Sequence, residues 1–349
     1  MKISMIGLSL SSSWGNGHAT TYRSLIKGLL AHGHTVDFYE REEPWYAAHR
    51  DLPDCDALHF YSNADALLHD WRNSLSSADL VMIGSYVRET PRLLEGLKRN
   101  AQGVLAFYDI DTPVTVAQLR NDRCEYLSRD IVPEFDLYLS FSGGTVLDEL
   151  KSLGASRPVP LYCSVDPDVH MPKDVPRDDD LGYLGTYSAD RQAPLTELLL
   201  EPAAQWADGR FTVAGPQYPE TVEWPSNVRH VSHVPPGEHA SFYCSQRFTL
   251  NLTRSDMRQM GYSPSVRLFE AACCGTPIIS DYWVGLDSFF DLENEILIAD
   301  RSADVLKHVR HISEEERESI GAAARRRVLA QHTGERRARE LESYLEAYG

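Results

Sequence analysis

The stretch Lys2–Glu40, KISMIGLSLSSSWGNGHATTYRSLIKGLLAHGHTVDFYE, contains an apolar run, a glycine loop, an amphipathic segment and a second apolar run. The first run, KISMIGLSL, and the last, HTVDFYE, are typical of buried strands. The segment between them predicts a helix that ends at Gly33, because apolar side chains recur with helical spacing at Tyr22, Leu25, Ile26, Leu29 and Leu30. Strand, loop, helix and strand in this order predict a βαβ unit and hence a parallel sheet.

The size and charge of the chain narrow the class of protein. Its 349 residues exceed the usual size of a single core and predict two domains. Its 34 basic and 51 acidic residues give a formal net charge of −17, which repels nucleic acid and anionic lipid. No run approaches the roughly 20 apolar residues of a membrane span. The six cysteines lack CxxC spacing and predict reduced thiols in the cytoplasm.

The βαβ rhythm continues through the first half and then restarts. ADLVMIGSY, GVLAFYDID and FDLYLSFS predict further parallel strands, so the N-terminal half is expected to be doubly wound. Residues 157–180 are rich in proline and aspartate and predict a linker. After it LGYLGTYS, RFTVAG, FTLNLTR and TPIISD restart the pattern, which predicts a second doubly wound domain.

These patterns predict an α/β protein with two Rossmann-like domains facing one another across a cleft. The first is expected to span residues 1–165 and the second residues 166–330. A C-terminal helix over 331–349 is expected to pack back toward the first domain. In such folds ligands bind beyond the carboxyl ends of the strands, where the glycine loops of this chain lie.

Several stretches, in their order and spacing, resemble the GT-B glycosyltransferases and especially the branch related to the spore-maturation protein CgeB. They are WGNGHATTYRSLIKGLLAHGHTV, FYDIDTPVTVAQL, LGYLGTYSADR, FTVAGPQYPE and SPSVRLFEAACCGTPIIS. The resemblance covers nearly the whole chain. It implies transfer of a sugar from a nucleotide diphosphate sugar to a hydroxyl acceptor, with the donor bound mainly by the second domain.

Glu270 lies in SPSVRLFEAACCGTP, which predicts a helix from about Ser265 to Gly275. The amide-rich start of such a helix attracts anions, so a diphosphate is expected near Ser265. A carboxylate accepts hydrogen bonds from both hydroxyls of a ribose, and the resemblance assigns this role to Glu270. The alternative is an exposed helical glutamate without a ligand.

Other donor-binding candidates are arginines and glycines of the second domain. Arg191 follows Gly185 by six residues, and the resemblance places a basic residue here to hold the diphosphate. Arg267 and Arg254 are weaker candidates, for which solvated surface positions are the preferred interpretation. Gly215 is predicted to let the backbone pass close to the nucleotide, or simply to form a turn.

The first domain offers acceptor-side candidates. Gly15 and Gly17 follow the first strand and are expected to allow close approach of a ligand. They fall short of a dinucleotide fingerprint, because the third glycine is missing. His18 next to them is a candidate general base, since imidazole titrates near neutrality. A histidine making structural hydrogen bonds at a helix end is the alternative.

Asp109 and Asp111 have the spacing of a DxD metal motif. Hard cations need more oxygen ligands than this pair, and the resemblance implies that no metal holds the diphosphate. The sequence therefore predicts no metal and no cofactor besides the donor substrate. Asp109 is expected to contact substrate, and Asp111 to orient the acceptor, to act as base or to cap the next helix.

One residue departs from the family pattern. Tyr262 occupies the position eight residues before Glu270, where many retaining relatives carry a second glutamate. This leaves the donor sugar and the stereochemical course open. Two alternatives to the transferase therefore remain, a sugar-nucleotide epimerase on the same fold and a catalytically silent nucleotide-sugar-binding or assembly protein.

Overall fold

A computed structural model describes residues 1–14, 17–52 and 55–347. Gly15, one of the predicted substrate-binding residues, lies outside the described residues. The chain divides into two compact units, one formed by Met1–Ser164 with Thr333–Gly349 and the other by Val165–His332.

The first unit is built on a seven-stranded sheet in the order β3-β2-β1-β4-β5-β6-β7, in which every pairing is parallel. Its central strands are buried on both faces, as expected for a parallel sheet covered by helices. The strands are β1 Lys2–Gly7, β2 Thr35–Arg41, β3 Leu58–Tyr61, β4 Leu80–Gly84, β5 Val104–Asp109, β6 Leu137–Ser140 and β7 Pro158–Pro160.

Helices connect these strands, which confirms the doubly wound class predicted for the first half. They are α1 His18–Ala31, α2 Pro44–Ala47, α3 Ala64–Asp70, α4 Arg72–Ser76, α5 Thr90–Asn100, α6 Thr112–Arg120 and α7 Val146–Ser152. A 3₁₀ turn at Val132–Glu134 precedes β6. The predicted helix after the glycine loop is therefore α1, and Gly33 follows its end with φ +79°.

The second unit repeats this architecture with a six-stranded parallel sheet in the order β10-β9-β8-β11-β12-β13. Its strands are β8 Asp179–Leu184, β9 Phe211–Ala214, β10 Val228–Val231, β11 Gln246–Asn251, β12 Ile278–Ser280 and β13 Leu297–Ile298. The second doubly wound domain predicted from the restart of the pattern is thus also confirmed.

The helices of the second unit include a π-helical turn at Thr196–Leu200 and 3₁₀ turns at Pro236–Glu238 and Leu286–Ser288. The α-helices are α8 Ala189–Leu195, α9 Glu201–Gln205, α10 His239–Cys244, α11 Ser255–Met260, α12 Val266–Cys273, α13 Ser302–His311 and α14 Glu314–Gln331. At the start of α14 the Ser313 hydroxyl accepts the Glu316 N–H at 3.2 Å and so caps the helix. Among the described residues, no helix combines the length and the apolar run that crossing a bilayer requires.

The predicted linker needs a correction. Residues 157–180 contain β7, the edge strand of the first sheet, and the first residues of β8. Two of the three β7 residues are prolines, and an edge strand tolerates proline because one side of it makes no ladder hydrogen bonds. The composition of residues 157–180 therefore located the connection between the two units but did not reveal β7 within it. The short strands β3, β10 and β13 also escaped the sequence pattern.

The last helix, α15 Gly334–Glu346, returns to the first unit and packs on α1. Ala338 and Leu341 of α15 join the core cluster of the first unit. His32 and His34 both contact the carboxylate of Glu342, at 2.9 Å and 2.6 Å. The two helices approach so closely that a Cβ atom added to Gly28 would overlap the backbone carbonyl of Gly334.

We predict that Gly28→Ala lowers the stability of the protein. Alanine normally favours a helix interior by about 1 kcal/mol over glycine. Here the methyl group would force α15 away from α1, and overpacking of this kind costs about 1–3 kcal/mol. The midpoint of thermal unfolding is therefore expected to fall. Gly237→Ala is the matched control, because an added Cβ there meets nothing within 4 Å. An unchanged or higher midpoint for Gly28→Ala would contradict the close contact.

Candidate active site

Each sheet reverses its strand order at one point. In the second sheet the reversal lies between β8 and β11, which are neighbours with β9 and β12 on their outer sides. Loops leave the carboxyl ends of these two strands toward opposite faces, so a crevice opens there. Gly185 follows β8, and Asn251 is the last residue of β11. The predicted donor-binding residues lie around these two strand ends.

Helix α12 carries Glu270 and has Ser265 at its N-cap, and Gly275 just beyond its end has φ +76°, as predicted. Glu270 is only 5% exposed, so it is not the exposed glutamate of the alternative interpretation. Tyr243 donates its hydroxyl to Oε2 at 2.9 Å, and Nε2 of His170 lies 3.6 Å from Oε1. Burial raises the pKa of Glu270, but His170, His239, Tyr243 and Arg267 outweigh it, so the pKa lies below its usual value.

Arg267 occupies the crevice itself and is only 9% exposed, which corrects the preferred interpretation of a solvated surface arginine. Its Nε donates to the carbonyl of Leu184, and its Nη1 donates to Oδ1 of Asn251 at 3.0 Å. The guanidinium also lies over the ring of Tyr183, 4.8 Å from its centroid. Ser265 donates its hydroxyl to the same Asn251 oxygen at 2.9 Å.

Arg191 lies on α8, directly after the loop that contains Gly185. Its Nη2 donates to the carbonyl of Thr186 at 2.7 Å. Its Nε is buried and has no hydrogen-bond partner in the part of the chain that the structure describes. Burial lowers the pKa of Arg191, and the positive charges of Arg267 and Arg254 lower it further. Three guanidinium groups thus lie within electrostatic range of one another, which is a strong reason for an anion to bind here.

The structure gives Gly215 two reasons to be a glycine that do not depend on a ligand. Its φ is +145°, a conformation that side chains disfavour. A Cβ atom on Gly215 would overlap the carbonyl of Gly185, so the two loops after β8 and β9 are in backbone contact. Glycine is required here to bring two strand ends together. Gly185 is confined as well, because a Cβ atom there would meet the Tyr183 hydroxyl and Arg267.

In the first sheet the strand order reverses between β1 and β4. His18 follows β1 as the first residue of α1, with Gly17 at the N-cap. The imidazole is buried, and burial lowers its pKa to about 4. Its Nδ1 has no hydrogen-bond partner among the described residues. Its ring meets that of Tyr86 edge to face at 5.5 Å between centroids. His18 is therefore neutral near pH 7.

Asp109 and Asp111 have different surroundings. Asp109 is fully buried and accepts hydrogen bonds from Tyr138 and Thr115, both at 2.7 Å. Burial raises its pKa to about 7. It also accepts a hydrogen bond from the backbone N–H of Asp111 at 3.2 Å, which helps to hold Asp111 in position. This burial does not favour the direct contact with substrate that was expected for Asp109. Asp111 stands at the N-cap of α6 and accepts the hydroxyl of Tyr86 at 2.6 Å.

Tyr86 links His18 to Asp111, and no pattern in the sequence singles it out. It is the second residue after the end of β4 and has φ +64°, a conformation that is rare for a large side chain. Strain of this kind concentrates at functional sites. His170, Tyr243 and Asn251 are further residues that sequence reasoning missed. Each lies far from Glu270 or Arg267 in the chain, so only the fold reveals the contact.

The structure also identifies a group of side chains that has the chemistry of metal ligands. Among the described residues, His170, His239 and Glu270 each offer one ligand atom, and these atoms lie within 4.8 Å of one another. The oxygens of Asp109, in contrast, accept hydrogen bonds from the side chains of Thr115 and Tyr138. Glu270 therefore has two chemically reasonable partners, a ribose diol and a cation.

Tyr262 lies in the loop before α12 with φ +47°. Its N–H donates to the carbonyl of Val284 at 2.8 Å. Its ring covers Gly285, where a Cβ atom would be 2.6 Å from Cγ of the ring. The tyrosine thus fills space at the position where retaining relatives keep a carboxylate, and it supplies no charge there.

Part of the chain matches a known protein family. Residues 191–343 match a protein-family model described as glycosyl transferase-like. No curated protein sequence matches the chain. This family match covers α8 to α15 and therefore includes Arg191, Arg267 and Glu270.

Solved structures share the fold over nearly the whole chain. Sucrose-phosphate synthase from Thermosynechococcus elongatus matches with a TM-score of 0.69 at 13% identity, covering 99% of this chain and 98% of that one. Anabaena HepE in complex with UDP-glucose matches with a TM-score of 0.70 at 11% identity, covering 99% of both chains. An alpha-glucosyltransferase in complex with UDP-glucose and DNA containing an abasic site matches with a TM-score of 0.73 at 13% identity, covering 99% and 98%.

At these identities the structural likenesses show the fold, which is the GT-B arrangement of two Rossmann-like domains. The family match over residues 191–343 adds the activity class. The chain is therefore a glycosyltransferase of the GT-B fold.

Proposed function

We propose that this glycosyltransferase takes its sugar from a UDP-sugar and transfers it to a hydroxyl group. The observation that carries the proposal is the group of arginines in the second unit, in which Arg254 and Arg267 are within electrostatic range of Arg191, and Arg267 is also within range of Glu270. A nucleoside diphosphate has the matching chemistry, because its phosphates carry the negative charge and its ribose carries the vicinal diol. Uracil is the favoured base, since solved structures of the same fold contain UDP or UDP-glucose.

The donor side of the reaction is assigned to the second unit. Arg191 and Arg254 hold the diphosphate, and the N-terminus of α12 at Ser265 adds its dipole. Glu270, kept ionised by its neighbours, accepts the ribose hydroxyls. Arg267 is fixed by Asn251 and the Leu184 carbonyl, so its charge is preorganised before the donor binds.

The acceptor is activated in the first unit. The acceptor oxygen gives its proton to the base and forms a bond to the anomeric carbon. The bond from that carbon to the phosphate oxygen breaks, and its electron pair leaves with the nucleoside diphosphate. His18 serves as the base, because its lowered pKa of about 4 keeps the imidazole unprotonated at neutral pH. Asp111, held by Tyr86, orients the acceptor hydroxyl.

The finer assignments belong to the same proposal. We place the chain in the CgeB-like branch, in the cytoplasm, with no metal needed to hold the diphosphate and no nucleic acid as partner. The six cysteines are all free thiols, as expected in a reducing compartment. The net charge of −17 opposes a polyanionic acceptor, although one structural neighbour is a complex with DNA.

The test of the proposed function is release of UDP from UDP-glucose with and without acceptor hydroxyl compounds. A transferase releases UDP quickly only when an acceptor is present, apart from slow hydrolysis. Interconversion of donor isomers without acceptor would instead identify an epimerase. A screen of nucleoside diphosphates and their sugars by thermal shift selects the donor first, since a tight ligand stabilises the folded protein.

We predict that Glu270→Ala weakens UDP binding by about 1.5–3 kcal/mol, the usual range for a hydrogen bond to a charged group. Glu270→Gln tests the charge without changing the packing against Tyr243 and His170. Calorimetry with UDP and with 2′,3′-dideoxy-UDP distinguishes the roles of Glu270. If Glu270 binds the diol, the variants and wild type bind the dideoxy nucleotide equally. Unchanged UDP affinity in both variants removes Glu270 from the site.

We predict that Arg191→Ala lowers the affinity for UDP much more than the affinity for uridine. Only the diphosphate carries the charge that the guanidinium meets. Arg229→Ala is a control, because Arg229 lies in the same unit with a side chain that is 62% exposed and contacts Asp179 at 3.1 Å. Isothermal titration of the three proteins with both ligands gives the comparison. Equal losses for UDP and uridine would refute the diphosphate assignment.

We predict that His18→Ala and Asp111→Asn reduce turnover and leave UDP affinity near the wild-type value. The loss is about 10²–10⁴-fold for the residue that is the general base. Turnover with the true acceptor and calorimetry with UDP provide the two measurements. Wild-type turnover in both variants would overturn the proposed base. NMR of the anomeric configuration in the product decides separately between inversion and retention.

A further inference from the structure

The first unit contains a pocket of about 200 Å³ to which the proposed function does not yet assign a ligand. Its walls come from the carboxyl ends of four adjacent strands. They include the last residues of β1, β2 and β3, which are Gly7, Arg41 and Tyr61, and Tyr86 in the loop after β4. The pocket therefore lies at the reversal of strand order between β1 and β4, where doubly wound sheets bind ligands. Its volume is below the roughly 300–1,000 Å³ of pockets for drug-sized ligands, so it suits a single ring.

Aromatic side chains dominate the wall. The five are Trp45, Tyr46, Tyr61, Tyr86 and Tyr126. Trp45 is 43% exposed, and the guanidinium of Arg88 lies over its ring, 5.8 Å from the centroid. Tyr86 packs on Tyr126 with 4.7 Å between ring centroids. Rings of this kind offer flat apolar faces with polar edges.

The wall is also in direct contact with the proposed proton-transfer residues. Tyr86 donates to Asp111 at 2.6 Å and meets His18 edge to face at 5.5 Å. A ligand against Tyr86 therefore lies within one side chain of both residues. The strained φ of +64° places the Tyr86 ring at this junction.

The charges that line the pocket are balanced. Two arginines, Arg41 and Arg88, face two glutamates, Glu43 and Glu125. Glu43 contacts Arg41 at 3.5 Å and Arg88 at 3.4 Å. Glu125 is exposed and has neither an ion-pair nor a hydrogen-bond partner among the described residues. A phosphate or carboxylate would meet already paired arginines and a free carboxylate. Hydroxyl groups, in contrast, accept from guanidinium and donate to carboxylate.

We propose that this pocket binds the acceptor as a neutral saccharide ring whose free hydroxyl lies against Tyr86. The inference rests on the proposed function and adds the chemical class of the acceptor. A sugar ring matches the pocket in each respect, because it has apolar C–H faces for the aromatic rings and hydroxyls for the balanced charges. Nucleic acid and sugar phosphates are not the preferred acceptors, because the arginines of the pocket are already paired with Glu43.

The test is binding of methyl glucoside, methyl galactoside and methyl mannoside to the UDP complex by ligand-observed NMR. We expect at least one of them to bind wild type, and Trp45→Ala to weaken that binding by about tenfold or more. Phe60→Ala is the matched control, an aromatic residue of β3 with 36% exposure that does not line the pocket. It should bind the glycoside as wild type does. Glucose 6-phosphate and a DNA duplex serve as anionic competitors and should bind at least tenfold more weakly.

The outcomes separate the two proposals. If UDP binds and none of the three glycosides does, or if Trp45→Ala binds as wild type does, the acceptor inference is wrong and the donor proposal stands. Preference for glucose 6-phosphate or DNA over every glycoside also overturns it. If UDP itself fails to bind, the proposed function fails first. Transfer to the bound glycoside, seen as UDP release that Tyr86→Phe reduces without weakening UDP binding, supports both.

Discussion

The parallel pairing of β1 with β2 on one side and β4 on the other is the constraint on which the first unit depends. Parallel neighbours need crossover connections, and right-handed crossovers in both directions from β1 place helices on opposite faces. The loops after β1 and β4 must then separate. β8 stands in the same relation to β9 and β11 in the second unit. Both candidate sites therefore arise from one topological rule.

Polar groups buried beneath these strand ends give the sites their rigidity. Asp109 has no exposed surface, yet Tyr138, Thr115 and the Asp111 N–H all donate to it. Such a satisfied buried network holds one geometry because every alternative leaves a polar group unpaired. Asn251 at the end of β11 has a similar role in the second unit, where its side-chain oxygen accepts hydrogen bonds from both Ser265 and Arg267. In each unit one buried side chain that accepts hydrogen bonds fixes the residues that face the ligand.

The sequence was informative where periodicity or glycine reports directly on local structure. The strand at Lys2–Gly7, the helix that carries Glu270 and its end at Gly275 all follow from such local signals. Burial of Arg267 could not be predicted, because its partners Leu184 and Asn251 are distant in the chain. The conformation of Tyr86 could not be predicted either, since nothing in its neighbours requires a positive φ. The edge strand β7 was hidden by its prolines.

The position of α15 has a consequence for how the protein is made. This helix covers α1 and completes the core of the first unit, but the ribosome produces it only after the entire second unit. Domains usually fold as they emerge, N-terminal first. Here the glycine face of α1 around Gly28 and the neighbouring apolar side chains have no partner during that interval. The first unit can complete its core only after its last helix has been synthesised. The time for which it is exposed to chaperones and to aggregation is therefore set by the time needed to synthesise the second unit.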